Sequence, residues 1–211
     1  MNQLGLLNLI KVYLSIVYSV INISTMKNVL IYDLVESMSA LIRSEERKRC
    51  SALGLQLVHL QVMHYLSRCN RYSDVPAAIS AYLGVTRGTI SQTLLLLEKK
   101  GLIKKSTDAK DKRVVHLQLL PAGYEALQAA RASDLLQQAE TILQQQHLAL
   151  DENPFMQALI ALQKANAGQT FGLCKNCKHF RVIPEGFRCG LTQEILSDQD
   201  SEKICQEHTL P

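Results

Sequence analysis

Four of the six cysteines in this 211-residue chain, Cys174, Cys177, Cys189 and Cys205, follow the pattern C-x2-C-x11-C-x15-C, with His208 three residues further on. A C-x2-C turn lets two thiolates point at one centre, and two distant cysteines can complete a tetrahedron around a metal. The stretch 169–211 that carries them is short and poor in apolar residues. It cannot readily fold on a core of its own, and a bound metal would supply the missing folding energy. Lys175, Lys178, Arg181, Arg188 and Lys203 interleave with the cysteines and offset the charge of four thiolates. Zinc is the first expectation for such a donor set, and an iron–sulfur cluster is the alternative. His179 and His208 are alternative ligands to a fourth cysteine. A metal closed by four protein ligands has no open position for water or substrate, which argues against an enzyme.

A second stretch, Pro76 to Leu120, carries a different chemistry. It reads as a short helix, a tight turn, a second helix, and two β-rich runs, Leu102–Ser106 and Val114–Leu120, separated by the charged loop DAKDKR. Thr86 precedes the second helix as a good N-cap. Ile90, Leu94 and Leu97 recur at helical spacing and predict its buried face. The opposite face offers Arg87, Gly88, Ser91 and Gln92, which are small or hydrogen-bonding and include no carboxylate. Lys99, Lys100, Lys104, Lys105, Lys110, Lys112 and Arg113 fall within fifteen residues, against Asp108 and Asp111. A helix-turn-helix followed by a basic hairpin has the shape of a winged helix, whose second helix can enter a major groove while the hairpin reaches toward a minor groove.

These motifs resemble the DNA-binding core of the MarR family of bacterial regulators. LGVTRGTISQTL and LEKKGLI match the reading helices, Asp108–Arg113 matches a D-x-R-D-x-R-like wing, and Leu117–Gly123 matches an L-x-L-T-x-x-G-like exit. Lys110 stands where arginine is usual, Leu120-Pro121 replaces Leu-Thr, and Leu95 and Leu96 make the recognition helix greasier. The resemblance covers roughly residues 26–167 and neither end. It implies a homodimeric, cytoplasmic transcriptional regulator bound to a double-stranded, pseudo-palindromic operator. Thr86, Arg87, Thr89, Ser91 and Gln92 would serve the recognition helix, Lys110, Lys112 and Arg113 the wing, and Lys104 and Lys105 the DNA backbone. A small-molecule or redox effector is a further expectation. In a second reading, the cysteine module is a metal, iron–sulfur or redox sensor that controls DNA binding. The tail motif CKNCKHF…FRCGL…ICQEH also resembles small cysteine-rich cluster modules attached to radical enzymes. Disulfides rank last, because such a regulator works in a reducing cytosol.

The elements that must position these residues set the expected architecture: mainly α with a small β-wing. A winged helix-turn-helix core is flanked by long dimerisation helices and followed by a small metal-stabilised module. With 47% hydrophobic and 20% charged residues the chain fits a soluble globular class, and its net charge of +4 leaves DNA binding to be argued from placement. The domain boundaries read as an apolar extension over 1–25, a winged-helix and dimerisation domain over 26–168, and the cysteine-rich module over 169–211. Residues 1–25 are interrupted by Lys11 and preceded by no basic residue, so a signal peptide fits poorly and a membrane anchor is marginal; an upstream start site or an extra packing helix is expected, with an anchor as the alternative. Val29–Arg49 and Leu55–Tyr65 read as helices, and Gly123–Leu150 as one long helix with Tyr124, Leu127, Leu135, Ile142 and Leu143 spaced for burial. His59 and His64, five apart, do not share a helical face and read as structural. Cys50 and Cys69 stand alone and read as small buried hydrophobes, with a thiol switch as the alternative the family resemblance allows. No Gly-rich phosphate loop or Ser–His–Asp order is present.

Overall fold

A computed structural model describes residues 30–109, 111–145, 155, 158–160, 162 and 171–210. The expectation for residues 1–25 lies outside this set. Among the described residues, no helix is long and apolar enough to cross a membrane. The chain divides into two compact units, 1–44 and 45–211, and helix α1 (Leu30–Ala52) runs across the division. The second unit contains the winged helix and the cysteine-rich tail together. The change expected after residue 168 is thus one of composition, while packing joins the tail to the core.

Three short helices build the head. In α2 (Leu57–Arg68), the His59 Nδ1 accepts a hydrogen bond from the Gln56 backbone N–H at 2.8 Å, so this buried histidine helps cap its own helix. Helix α3 (Pro76–Leu83) opens on a proline, whose missing N–H costs nothing in a first turn, and closes at Gly84. Gly84 adopts φ 65°, a left-handed conformation that favours glycine at a helix C-terminus. Helix α4 (Arg87–Lys99) follows after the tight turn, with Thr86 as its cap. Strands β1 (Ile103–Thr107) and β2 (Val115–Leu119) form the antiparallel wing, in a register that sets Ile103 opposite Leu119 and Thr107 opposite Val115. Both begin one residue later than the sequence pattern predicts.

The core lies where these elements meet. Val62, Met63, Tyr65, Ile79, Ile90, Leu97 and Ile103 are each at most 2% exposed. Fully burying one such aliphatic side chain contributes about 1.5–3 kcal/mol. The buried face predicted for α4 is therefore the observed one. Helix α5 (Pro121–Ala130) leaves the wing at a tight crossing: a Cβ on Gly123 would stand 2.2 Å from the Leu102 carbonyl oxygen. Only glycine lets the helix pass there, which explains the exit motif physically.

The single long helix expected over Gly123–Leu150 is broken. Arg131 is extended, with φ −70° and ψ 145°, and α6 (Ser133–Gln145) starts afresh after it. The break lets Ala132 join Leu127 and Ala130 in burial, and the Arg49–Asp134 ion pair at 3.2 Å secures the new first turn. Beyond Gln145 the expectation lies outside the described residues. Leu127 is buried as predicted, but Tyr124, Leu135 and Ile142 are exposed, and α6 buries no residue within this chain.

The tail returns to the head. Strands β3 (Gly172–Leu173) and β7 (Ile204–Cys205) pair with each other. Strands β4 (Phe180–Ile183), β5 (Gly186–Cys189) and β6 (Ile195–Leu196) form a three-stranded sheet, and the one-turn helix α7 (Asp198–Ser201) precedes β7. Ile204 bridges to Cys69 and enters the head's apolar core, while Phe171 stacks edge-on to Tyr82 with ring centres 5.2 Å apart.

Candidate functional site

The polar side chains expected to serve the recognition helix are exposed but divide between two grooves. Thr86 accepts the Thr89 backbone N–H at 3.2 Å, and the two hydroxyls lie 2.9 Å apart. Arg87, Thr89, Ser91 and Gln92 are exposed along the same two turns. They do not share one surface. Arg87 and Ser91 line a groove of about 460 Å³ between α3, α4 and the wing, with Arg113 and Val115 on its far wall. Thr89 and Gln92 line a second groove of about 420 Å³ against α2, together with His59, Leu95 and Lys99. Leu95, half-exposed on that side, is an apolar contact rather than a hydrogen-bonding one.

The wing is organised by its own carboxylates. Asp108 accepts the Asp111 backbone N–H at 2.7 Å, and Asp111 receives a two-pronged contact from the Arg113 guanidinium at 3.0 and 2.8 Å. That pairing holds the Asp111 carboxyl below the usual range, and the Arg113 side chain remains 90% exposed. Lys104 and Lys112 are exposed, whereas Lys105 turns back onto Glu98 at 2.7 Å. Lys110 lies outside the described residues. At the root of the wing, His116 bridges Asp74, in the loop before α3, and Asp108, at the start of the hairpin. The Asp74 hydrogen bond raises the His116 pKa, while burial of Asp74 raises the Asp74 pKa despite its partner. Sequence reasoning missed this clamp, whose members lie 42 and 8 residues apart.

The cysteines of the tail converge. Cys174 opens a 3-10 turn whose end is Cys177, the β4–β5 hairpin places Cys189 opposite Phe180, and β7 ends on Cys205. All four line one enclosed cavity of about 30 Å³ with Asn70, Phe180 and His179. Tyr72, Thr192, Leu196 and Glu207 complete its lining. Cys174 hydrogen-bonds Cys205, which holds the Cys205 thiol below and the Cys174 thiol above the ordinary range. The Thr209 backbone N–H donates to Cys177 Sγ at 3.4 Å. All four cysteines are free thiols, so the last-ranked disulfide expectation is not met. His208 does not border the cavity; it is buried beneath Gly172, where an added Cβ would come within 2.7 Å of its ring.

The donor set fits a thiolate-ligated centre, and a second feature of the cavity wall agrees with it. Asn70, 1% exposed, uses Oδ1 to accept the Tyr72 backbone N–H at 3.1 Å, yet its buried Nδ2 makes no hydrogen bond of ordinary geometry. That amide lies beside the Cys205 sulfur. Among the described residues, however, no group of three or more His, Cys, Asp or Glu side chains is arranged to hold a single ion. The two isolated cysteines behave as small hydrophobes: Cys50 and Cys69 are buried, and burial pushes the Cys69 thiol up to about 12. A thiol so reluctant to ionise is a poor redox switch. His64 is likewise silenced, its pKa lowered to about 4 by burial.

Residues 53–114 match the family model described as MarR family. The likeness to that family lies in this segment. It begins just after α1 and spans α2, the helix-turn-helix and the first arm of the wing, the elements whose geometry is given above. Proteins of that family are transcription regulators, not enzymes. Among solved structures, a mutant MepR from a multidrug-resistant S. aureus clinical isolate is 23% identical with a TM-score of 0.51, over 67% of this chain and 98% of that one. A DNA complex of S. aureus MepR is 22% identical with a TM-score of 0.48, over 64% and 96%. BldR from Sulfolobus solfataricus is 17% identical with a TM-score of 0.48, over 65% and 94%. At 23% identity the likeness to the mutant MepR is one of fold. No curated protein matches the chain.

Proposed function

We propose that the chain is a cytoplasmic, homodimeric transcription regulator whose MarR-family winged helix binds a specific DNA operator. The observation that carries this reading is the groove shared by Arg87 and Ser91 of α4 and Arg113 of the wing. A phosphate backbone seated there would be gripped by the helix start and the wing together, while Thr89 and Gln92 meet base edges beyond it. Lys104 and Lys112 add charge along the same approach, and Lys105 becomes available once it leaves Glu98. The dimer is supported by α6, whose Leu135, Leu136 and Ile142 stay exposed in one chain and form the apolar patch that a second copy would cover. To test the interface, duplexes selected from random-sequence DNA by the wild-type protein serve as the probe. Arg113→Ala is expected to weaken binding roughly tenfold and to lower the salt dependence by about one phosphate contact. Unchanged affinity at physiological salt would remove the wing from the interface.

A second reading concerns the tail. We infer that Cys174, Cys177, Cys189 and Cys205 hold a metal centre, zinc or an iron–sulfur cluster, whose state is passed to the DNA-binding head. The specific support is the loop 69–75, which touches both. Its Asn70 backbone N–H donates to the Ile204 carbonyl at 2.9 Å, and Ser73 Oγ accepts the Gln206 N–H at 2.9 Å. At its other end the Asp74 carbonyl accepts the Leu117 N–H of the wing at 2.8 Å, and Val75 caps α3.

A further inference from the structure

Helix α4 contains four consecutive leucines, Leu94 to Leu97, and the fold uses three of them. Leu94 and Leu97 are buried, and Leu96 packs against the edge of the core. Leu95 is 54% exposed. At about 3.6 residues per turn it points away from the buried row of Ile90, Leu94 and Leu97. Gly88, Gln92 and Lys99, spaced three or four residues apart with it, complete the outward row, and all are exposed. A lone exposed leucine is ordinary on a protein surface. The row around this one is not, because the outward face of a solvated helix is normally charged and polar along its length. This row carries a single charge, Lys99 in the last turn. The groove that Leu95 lines with Thr89, Gln92 and Lys99 contains no carboxylate. Glu98, the acidic residue of α4, is paired with Lys105 at 2.7 Å and does not border it. Such a face complements a DNA major groove: a lysine meets phosphate, an amide meets base edges, and an apolar side chain meets the C5 methyl of thymine.

We propose that Leu95 is a specificity-determining residue that packs on a thymine methyl group in the major groove of the operator. The inference rests on the DNA-binding reading of the winged helix and names part of the sequence that the helix selects. A cytosine in the same place presents an amino group and no methyl, and sets the leucine against a polar edge. Gln92, one turn earlier on the same row, suits adenine through its amide. The two side chains together favour A·T pairs under this part of the helix.

The test uses the full chain and a duplex that the wild-type protein selects from random-sequence DNA. Each thymine is replaced in turn by deoxyuridine, which removes the C5 methyl and keeps the base pairing. For the wild type, a loss of affinity of about fourfold is expected at one thymine of a half-site, the worth of one buried methyl group. Leu95→Ala is expected to bind the parent duplex more weakly and to be indifferent to deoxyuridine at that thymine. Leu95 is a surface residue, so its substitution leaves the fold intact, and losses common to both proteins belong to the DNA itself. The same deoxyuridine profile for both proteins, or no methyl-sensitive thymine in the wild type, would overturn the role of Leu95 and spare the DNA-binding reading. Failure of the wild type to enrich any duplex would overturn both. Leu95→Gln supplies a second check: its own enriched sequences are expected to lose that thymine, and retention of it would overturn the assignment.

Discussion

The winged helix and the cysteine-rich tail share one compact unit but bury very different material. From Cys50 to Ala132 the head conceals some twenty apolar side chains, with Tyr65, Met63, Ile79 and Leu97 almost wholly out of water. From Phe171 to Leu210 the buried apolar residues are Cys174, Leu196 and Ile204, and Ile204 belongs to the head's core rather than to a core of the tail. The head is a hydrophobic fold in the ordinary sense. The tail is a set of two- to four-residue strands closed around thiols, which is the pattern of a domain whose order depends on a ligand. With the proposed metal in the tail, one unit would contain two sources of stability, and they can be separated.

The sharpest separation is Cys189→Ser. On the proposed metal reading, a structural metal would supply on the order of 10 kcal/mol of folding energy, far more than the tail's few buried side chains can replace. The result expected on that reading is loss of the proposed metal and of amide exchange protection across 171–210, with protection across α2 to α5 retained. If the tail stayed protected without metal, its stability would come from docking on the head and the contrast would fail. The reverse experiment is Leu97→Ala. Leu97 is 0% exposed, and its truncation is expected to cost about 2–5 kcal/mol in urea unfolding. Because Ile204, Phe171 and Leu173 pack against that same core, the tail is expected to lose protection together with the head. The coupling is thus directional: the tail needs the head more than the head needs the tail.

The same contrast governs what could be read from the chain. The head was legible because local signals agreed with one another. Thr86 as cap, Ile90, Leu94 and Leu97 at helical spacing, and a charged tip between two β-rich runs all point to one architecture, and the observed elements follow within a residue or two. The cysteine spacing was legible too, since it is a linear pattern. What could not be read were the juxtapositions made by folding. Asn70 reaches the thiol cavity from more than a hundred residues away, and Asp74 meets His116 across 42. Nothing in the periodicity of either segment announces these meetings. The break at Arg131 was missed for another reason: alanine and leucine propensity favours a continuous helix, and burial of Ala132 outweighs that preference. Glycine at 123 was recognised as a motif position, but its necessity is visible only beside the Leu102 carbonyl.

The smallest expected effect concerns the clamp that joins the head's loop to its wing. His116 has its pKa raised chiefly by the Asp74 hydrogen bond, so the folded state binds the proton more tightly than the unfolded chain does. Its contribution is fully present below the ordinary histidine pKa of about 6.5 and is lost as pH rises through the raised value. Asp74 does not reverse this trend. Burial lifts its pKa above the usual carboxylate value, so the cost of holding it ionised is already complete in the neutral range and constant across it. Urea unfolding of the wild type is therefore expected to show a modest decline in stability from mildly acidic to mildly alkaline pH, and His116→Gln is expected to flatten that decline. Amide exchange locates the effect: above the His116 pKa the wing strands Ile103–Thr107 and Val115–Leu119 should open more readily than α2. A wild type and a glutamine variant with parallel pH profiles would show that Leu117 bonded to the Asp74 carbonyl, rather than the ionised pair, holds the wing in place.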